Sequence, residues 1–229
     1  MSERTDLQIS GKNITLFLGS SGSPIVYLDT FSAEEMEGVQ KILREPGFPA
    51  HSLAVIGGLE WNDEMSPWYC PPVLKNGTAY QGKAGRFLSD MEEKIIPEVE
   101  EKLPEAPAYR VISGYSLAGL FAVYSLYRTD LFARAASMSG SFWYPDFLEY
   151  ARDHAMKREP ECLYFSLGDR ESRTRNKTMK TVGDRTQALE EYYREKGINT
   201  RFEWNPGNHF QNFEERTAKG IRWVLEQPG

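Results

Sequence analysis

Apolar positions along this chain follow two rhythms: short continuous runs, and longer stretches in which they recur every three or four residues. The runs predict strands at 7–9 and 14–18, and the Gly/Ser punctuation of 19–24 predicts a hairpin turn after them. Ile25-Val26-Tyr27-Leu28 reads as a buried strand. Ser32-Ala33-Glu34-Glu35 then carries an N-cap serine with Glu at the third helical position, so a helix is expected to about Arg44, ahead of Pro46. Residues 52–56 read as the next buried strand, ended by Gly57-Gly58. The stretch 59–85 has no period and holds Trp61, Trp68, Tyr69 and Tyr80. A connection longer than ~15 residues is usually functional or disordered, and this aromatic content argues against disorder.

Phe87, Leu88, Met91, Ile95, Val99 and Leu103 recur at helical spacing, with Pro97 inside the pattern to kink or restart the helix. Further strands are predicted at 109–113, 135–139, 162–166 and 201–204. Helices are predicted from Leu117 to about Tyr127, over 178–196 and over 213–225. Strands separated by helices predict one α/β domain over 1–229, with a mostly parallel central sheet flanked by helices. Residues 1–23 would add short amino-terminal strands, and 59–85 an irregular aromatic loop near the site. In such sheets, sites form at the carboxyl ends of the strands.

Composition narrows the function classes. Of 229 residues, 40% are hydrophobic and 26% charged, the balance of a soluble globular protein. A net charge of -6 argues against nucleic acid as the main partner. The basic run from Arg170 to Lys180 alternates with polar residues and reads as a solvated loop. No stretch approaches the ~20 apolar residues of a membrane span, and the polar start offers no secretory h-region. Cys70 and Cys162 have no metal spacing and read as free thiols in a reducing cytoplasm.

The strongest local signal is a strand, then Gly114-Tyr115-Ser116-Leu117-Ala118-Gly119, then an apolar helix. A nucleophile on a very sharp turn needs small residues two positions away on each side, where larger ones would collide with the strand and helix. The bland alternative is a serine near a helix N-terminus beside a tight glycine turn. A serine nucleophile needs a base, and there are three histidines. His51 precedes its strand, at the wrong edge, and His154 sits in a charged segment that reads as a solvated helix face. His209 follows the last strand, on the same edge as Ser116. The loop after the Cys162 strand offers two acids to orient it, Asp169 and Glu171. The resulting order of Ser, acid and His is that of the α/β-hydrolases. The N–H of Leu117 opens the helix and is one donor for a developing oxyanion; a second is expected from the loop after the Ile25 strand, at Thr30 or Phe31.

Most of the chain from about Pro24 onward resembles the esterase D and siderophore esterase-like group of α/β-hydrolases. Gly85-Arg86-Phe87-Leu88 through Pro97, Ser113 through Ala122, Leu131-Phe132-Ala133 with Ser139-Gly140-Ser141-Phe142-Trp143, and Pro206-Gly207-Asn208-His209-Phe210 carry the resemblance. It implies an α/β-hydrolase fold with Ser116 as nucleophile, His209 as base, Glu171 as acid and Asp169 as the alternative acid. Leu117 and Phe31 would be the oxyanion donors, although Asp29-Thr30 stands where the group usually has Asp-Gly. The implied activity is hydrolysis of a small-molecule carboxylic ester through an acyl-enzyme, without metal or organic cofactor. An acyltransferase or thioesterase on the same residues, and a non-catalytic binding module, are the alternatives. Trp61, Trp68, Tyr115 and Trp143 are candidate substrate contacts that would suit an aryl or siderophore-type ester; equally, such rings cover the sheet edge and pack the core.

Overall fold

The computed structural model describes residues 4–31 and 36–228. The capping segment predicted at 32–35 therefore lies outside the described residues. Ten strands are present: β1 (Arg4–Ile9), β2 (Lys12–Phe17), β3 (Ile25–Asp29), β4 (Ser52–Gly57), β5 (Tyr69–Cys70), β6 (Tyr80–Gln81), β7 (Arg110–Tyr115), β8 (Arg134–Met138), β9 (Cys162–Gly168) and β10 (Asn199–Asn205). The helices are α1 (Met36–Leu43), α2 (Trp61–Glu64), α3 (Ala84–Asp90), α4 (Ile96–Glu100), α5 (Leu117–Ser125), α6 (Phe147–Asp153), α7 (Val182–Glu195) and α8 (Phe213–Glu226).

Eight strands form one sheet in the order β1-β2-β4-β3-β7-β8-β9-β10. From β4 through β10 neighbouring strands run parallel, while β2 joins β4, and β1 joins β2, antiparallel. Both faces are covered, so β3, β4 and β9 are buried at every position. The edge strands β1 and β10 alternate instead. Ile25 and Tyr27 face a core built with α3, α4, α5 and α6, whereas Val26 and Leu28 face α1 and α8. Helix α5 runs beneath this sheet and is buried along its whole length, as its unbroken apolar sequence requires.

Two local expectations need correction. The hairpin turn lies at Ser10-Gly11, where both residues have positive φ, as a two-residue β-turn between twisted strands demands. Residues 19–24 instead form a crossover, because β4 is inserted between β2 and β3. The stretch 59–85 is also more structured than its aperiodic sequence suggests: α2 and the short β5–β6 ladder lie inside it. Around Pro97 the helix does not break. A π-helical turn over Met91–Ile95 leads directly into α4, and this local change of hydrogen-bond pattern lets the helix restart just ahead of the proline, which has no N–H to give.

Strand order fixes where chemistry can occur. Strand β3 is the switch point, with β4 on one side and β7 on the other. The register pairs Asp29 with Gly114, Tyr115 with Met138, Met138 with Ser166, and Gly168 with Asn205. The segments carrying Phe31, Ser116, Ser139, Glu171 and His209 therefore all leave the sheet at one edge.

Candidate active site

Ser116 stands between β7 and α5 with φ 61° and ψ −121°. A non-glycine residue there costs roughly 1–3 kcal/mol and persists only when its surroundings over-determine it. They do: Ser116 N–H donates to Met138 O (3.0 Å), while its carbonyl accepts from Leu120 (3.2 Å) and Ser141 (3.0 Å). The turn is so tight that a Cβ at Gly114 would lie 2.5 Å from the Ala118 methyl. The bare Gly114 is what makes room for Ala118.

A line of hydrogen bonds runs from this serine. His209 Nε2 is 3.0 Å from Ser116 Oγ, and His209 Nδ1 is 2.7 Å from Glu171 Oε2. The other carboxylate oxygen of Glu171 accepts from Gly168 N–H (2.6 Å), Ser139 Oγ (2.7 Å) and Arg216 Nη1 (3.3 Å). Burial alone would push this carboxyl up; the hydrogen bond and charge of His209, with the Gly168 N–H and Ser139 hydroxyl, outweigh it and hold Glu171 below its ordinary value. Asp169 is placed differently. Its carboxylate is half-exposed and accepts from Gly207 N–H at 2.9 Å, tying the β9 loop to the histidine loop. Those loops pass so closely that a Cβ at Gly168 would meet Gly207 O at 2.4 Å.

Arg216 is the residue that sequence reasoning missed. It is 2% exposed, although it sits on a helix with an acidic first turn. Its guanidinium reaches Glu171, Tyr115 OH (3.2 Å), Asn208 O (3.1 Å) and Pro206 O (2.8 Å). A signal was present: Arg216 stands four and eight residues before Gly220 and Val224, on the buried stripe of α8. Tyr115 completes the arrangement, donating from its hydroxyl to His209 O at 2.8 Å with its ring 5.4 Å from the imidazole.

The remaining histidines are elsewhere. His51 precedes β4 at the opposite edge, with Nδ1 2.8 Å from Pro49 O, and burial lowers its pKa. His154 follows α6 and stacks on Tyr150 at 4.2 Å.

Two clefts open on Ser116 and His209 and share Trp61 and Phe210 as walls. One, of about 500 Å³, is lined by Leu28, Phe31, Met36 and Phe213. The second, of about 450 Å³, is lined by Tyr80, Trp143, Arg170 and Arg173. Phe31 is 64% and Phe210 87% exposed at this mouth. Leu117 opens α5, so its N–H has no intrahelical partner, and it lines the second cleft. Trp61, Tyr115 and Trp143 thus lie at the clefts. Trp68 does not: its ring packs on Tyr144, Phe147 and Tyr150, and its Nε1 donates to Pro145 O. Phe142 and Tyr144, either side of Trp143, are buried in the core.

Comparison with known proteins places this chain in a family. The model of the family described as "Putative esterase" matches residues 32–219. An uncharacterized protein of Bacillus subtilis, YbbA, is 24% identical over 216 residues, covering 90% of this chain and 86% of that protein. Among solved structures, an IroE-like serine hydrolase from Shewanella oneidensis superposes with a TM-score of 0.81 at 18% identity, over 98% of this chain and 80% of that one. The siderophore hydrolase EstB from Aspergillus nidulans gives 0.69 at 16% identity, over 100% and 96%. The shared fold is the mixed α/β domain described above.

Proposed function

We propose how this chain, which belongs to the "Putative esterase" family and is a carboxylic ester hydrolase, carries out its reaction: Ser116 attacks the ester and is transiently acylated. His209 Nε2 takes the proton from Ser116 Oγ as the bond to the carbonyl carbon forms. The carbonyl oxygen becomes an oxyanion, received by the N–H groups of Leu117 and Phe31. Collapse breaks the bond to the alcohol, which leaves with the proton held by His209. Water then enters, gives its proton to His209 and attacks the acyl carbon, and Ser116 is released protonated. Glu171 fixes which imidazole nitrogen carries hydrogen and offsets the charge of the imidazolium. Splitting one difficult step into two lowers each barrier.

The observation that carries this reading is the run of contacts from Ser116 to His209 to Glu171, at 3.0 and 2.7 Å, on a strained strand-to-helix turn. The aromatic mouth of Phe31, Trp61 and Phe210 supports an aryl or siderophore-type ester, a class in keeping with the siderophore hydrolase that shares the fold. Both cysteines are free and buried, which suits a reducing cytoplasm, and no helix of the described residues is long and apolar enough to cross a membrane. Acid quenching during turnover of an activated aryl ester tests the chemistry. An acyl group on the peptide containing Ser116 is expected; turnover with the acyl group found on no residue, or on another residue, would overturn it.

A further inference from the structure

The two clefts meeting at Ser116 differ in charge. The larger is apolar around Leu28, Phe31, Met36 and Phe213. The other is lined by Arg170 and Arg173 together with Tyr80 and Trp143. Among the described residues its lining holds one carboxylate, Glu171, and that group is already occupied by His209, Ser139 and Arg216. The segment after Glu171 adds Arg175, Lys177 and Lys180, with no acid until Asp184, in a chain whose net charge is -6.

The basic side chains of this segment are exposed, as a solvated loop requires, but its backbone is pinned. Asn176 Nδ2 donates to Val73 O, and Asn176 Oδ1 accepts from the N–H groups of Thr178 and Met179, each at 3.0 Å. Ser172 Oγ accepts from Gly183 N–H at 3.2 Å. The segment is thus fastened at both ends, to the aromatic stretch and to α7. Arg170 makes a loose 3.7 Å contact with Asp169. The Arg173 guanidinium has no ion pair or hydrogen bond among the described residues, although it lines the cleft. An exposed cation without a counter-charge at the rim of a polar cleft attracts an anion and can bind it through directed N–H donors.

We propose that the ester bears an anionic oxygen group on one side of the scissile bond, held in the polar cleft by Arg173 with help from Arg170. The apolar portion fills the larger cleft, and the ester carbon is thereby placed at Ser116. Arg173 is in this account a specificity-determining residue that takes no part in bond making. The inference rests on ester hydrolysis at Ser116.

Matched aryl esters test it. The 4-nitrophenyl esters of glutaric acid and of pentanoic acid differ by a charge on the acyl side. The butyrates of 3-carboxy-4-nitrophenol and of 4-nitrophenol differ by one on the alcohol side. One anionic member should be favoured over its neutral partner. Arg173→Gln should lower kcat/KM for that member by about tenfold and leave the neutral esters within about twofold. Arg173→Lys should retain part of the preference, and 0.5 M NaCl should weaken it in the parent. Turnover of the neutral esters by Arg173→Gln reports an intact Ser116 site. The inference fails alone if neutral esters are cleaved but neither anionic ester is favoured, or if Arg173→Gln slows both kinds equally. Should the parent cleave no ester, the underlying reading fails and takes this one with it.

Discussion

Two buried carboxyl groups flank Ser116, and they live in opposite circumstances. Glu171, on the β9 side, accepts hydrogen bonds from His209, Gly168, Ser139 and Arg216. Asp29, at the end of β3, is 2% exposed, and neither of its oxygens has a hydrogen-bond partner among the described residues. Donors hold Glu171 below its ordinary value despite burial, while burial, aided by the nearby charge of Glu64, drives Asp29 well above its own. The β9 side of the site is thus held by a dense polar network. On the β3 side the fold buries a carboxyl without donors, which disfavours its charged form. Sharing one sheet edge does not give two carboxyls the same chemistry; the donors around each decide it.

The sharpest way to break the contrast is at the reacting atoms. Ser116→Ala and His209→Ala should each lower kcat by roughly 10³-fold or more, measured with a neutral aryl ester. His51→Ala and His154→Ala, far from the clefts, should stay within about twofold. A large loss in either would mean that the base lies elsewhere.

Arg216→Met attacks the network itself. It strips a donor from Glu171 and leaves the carbonyls of Pro206 and Asn208 short of partners, so unfolding by urea should report a loss of about 3–5 kcal/mol. A loss below about 1 kcal/mol would show that the network carries little of the stability of this side.

Next in size is the choice of acid. Glu171→Gln should reduce kcat by roughly 10²-fold, through loss of imidazole orientation and charge. Asp169→Asn removes charge from a half-exposed group that accepts one backbone N–H, and should cost less than about tenfold. The reverse order would transfer the role to Asp169.

The smallest effect bears on pH. Glu171 has a depressed folded value, so its contribution to stability is present above about 4.5 and is lost as pH falls through the folded value. Asp29 has a raised one, so the folded state binds the extra proton, and stability declines as pH rises above 3.8. Asp29→Asn should therefore raise Tm by a few degrees near neutral pH, with the gain shrinking as pH approaches 3.8. Unchanged or lower stability at neutral pH would mean that Asp29 is not under this penalty.

The sequence made the sheet edge legible because the chemistry-bearing residues follow strands whose runs of Ile, Val, Leu and Tyr are unmistakable. Ser116 could be read from the small residues that its turn demands, and His209 by elimination among three histidines. What stayed hidden were contacts between elements distant in sequence. Nothing local in Ala50-His51-Ser52 indicates that β4 slots between β2 and β3, so 19–24 read as a hairpin. Trp68 and Trp143 both sit in stretches without a period, yet the partly buried Trp68 packs against α6 away from the clefts, whereas Trp143, itself buried, lines the second cleft. Arg216 was concealed by its own charge, since an arginine on an amphipathic helix reads as part of its wet face. Asp29 was counted only as part of a departure from a family pattern, because a missing partner leaves no trace in sequence.

The central claim is that Ser116, activated by His209 and Glu171, is the nucleophile. A fluorophosphonate probe tests it most directly, because it labels only an activated serine. Peptide mapping should find one adduct, on Ser116, in the parent protein. Labelling should be absent in Ser116→Ala and strongly slowed in His209→Ala. Labelling of another serine, or equal labelling of parent and Ser116→Ala, would contradict the account.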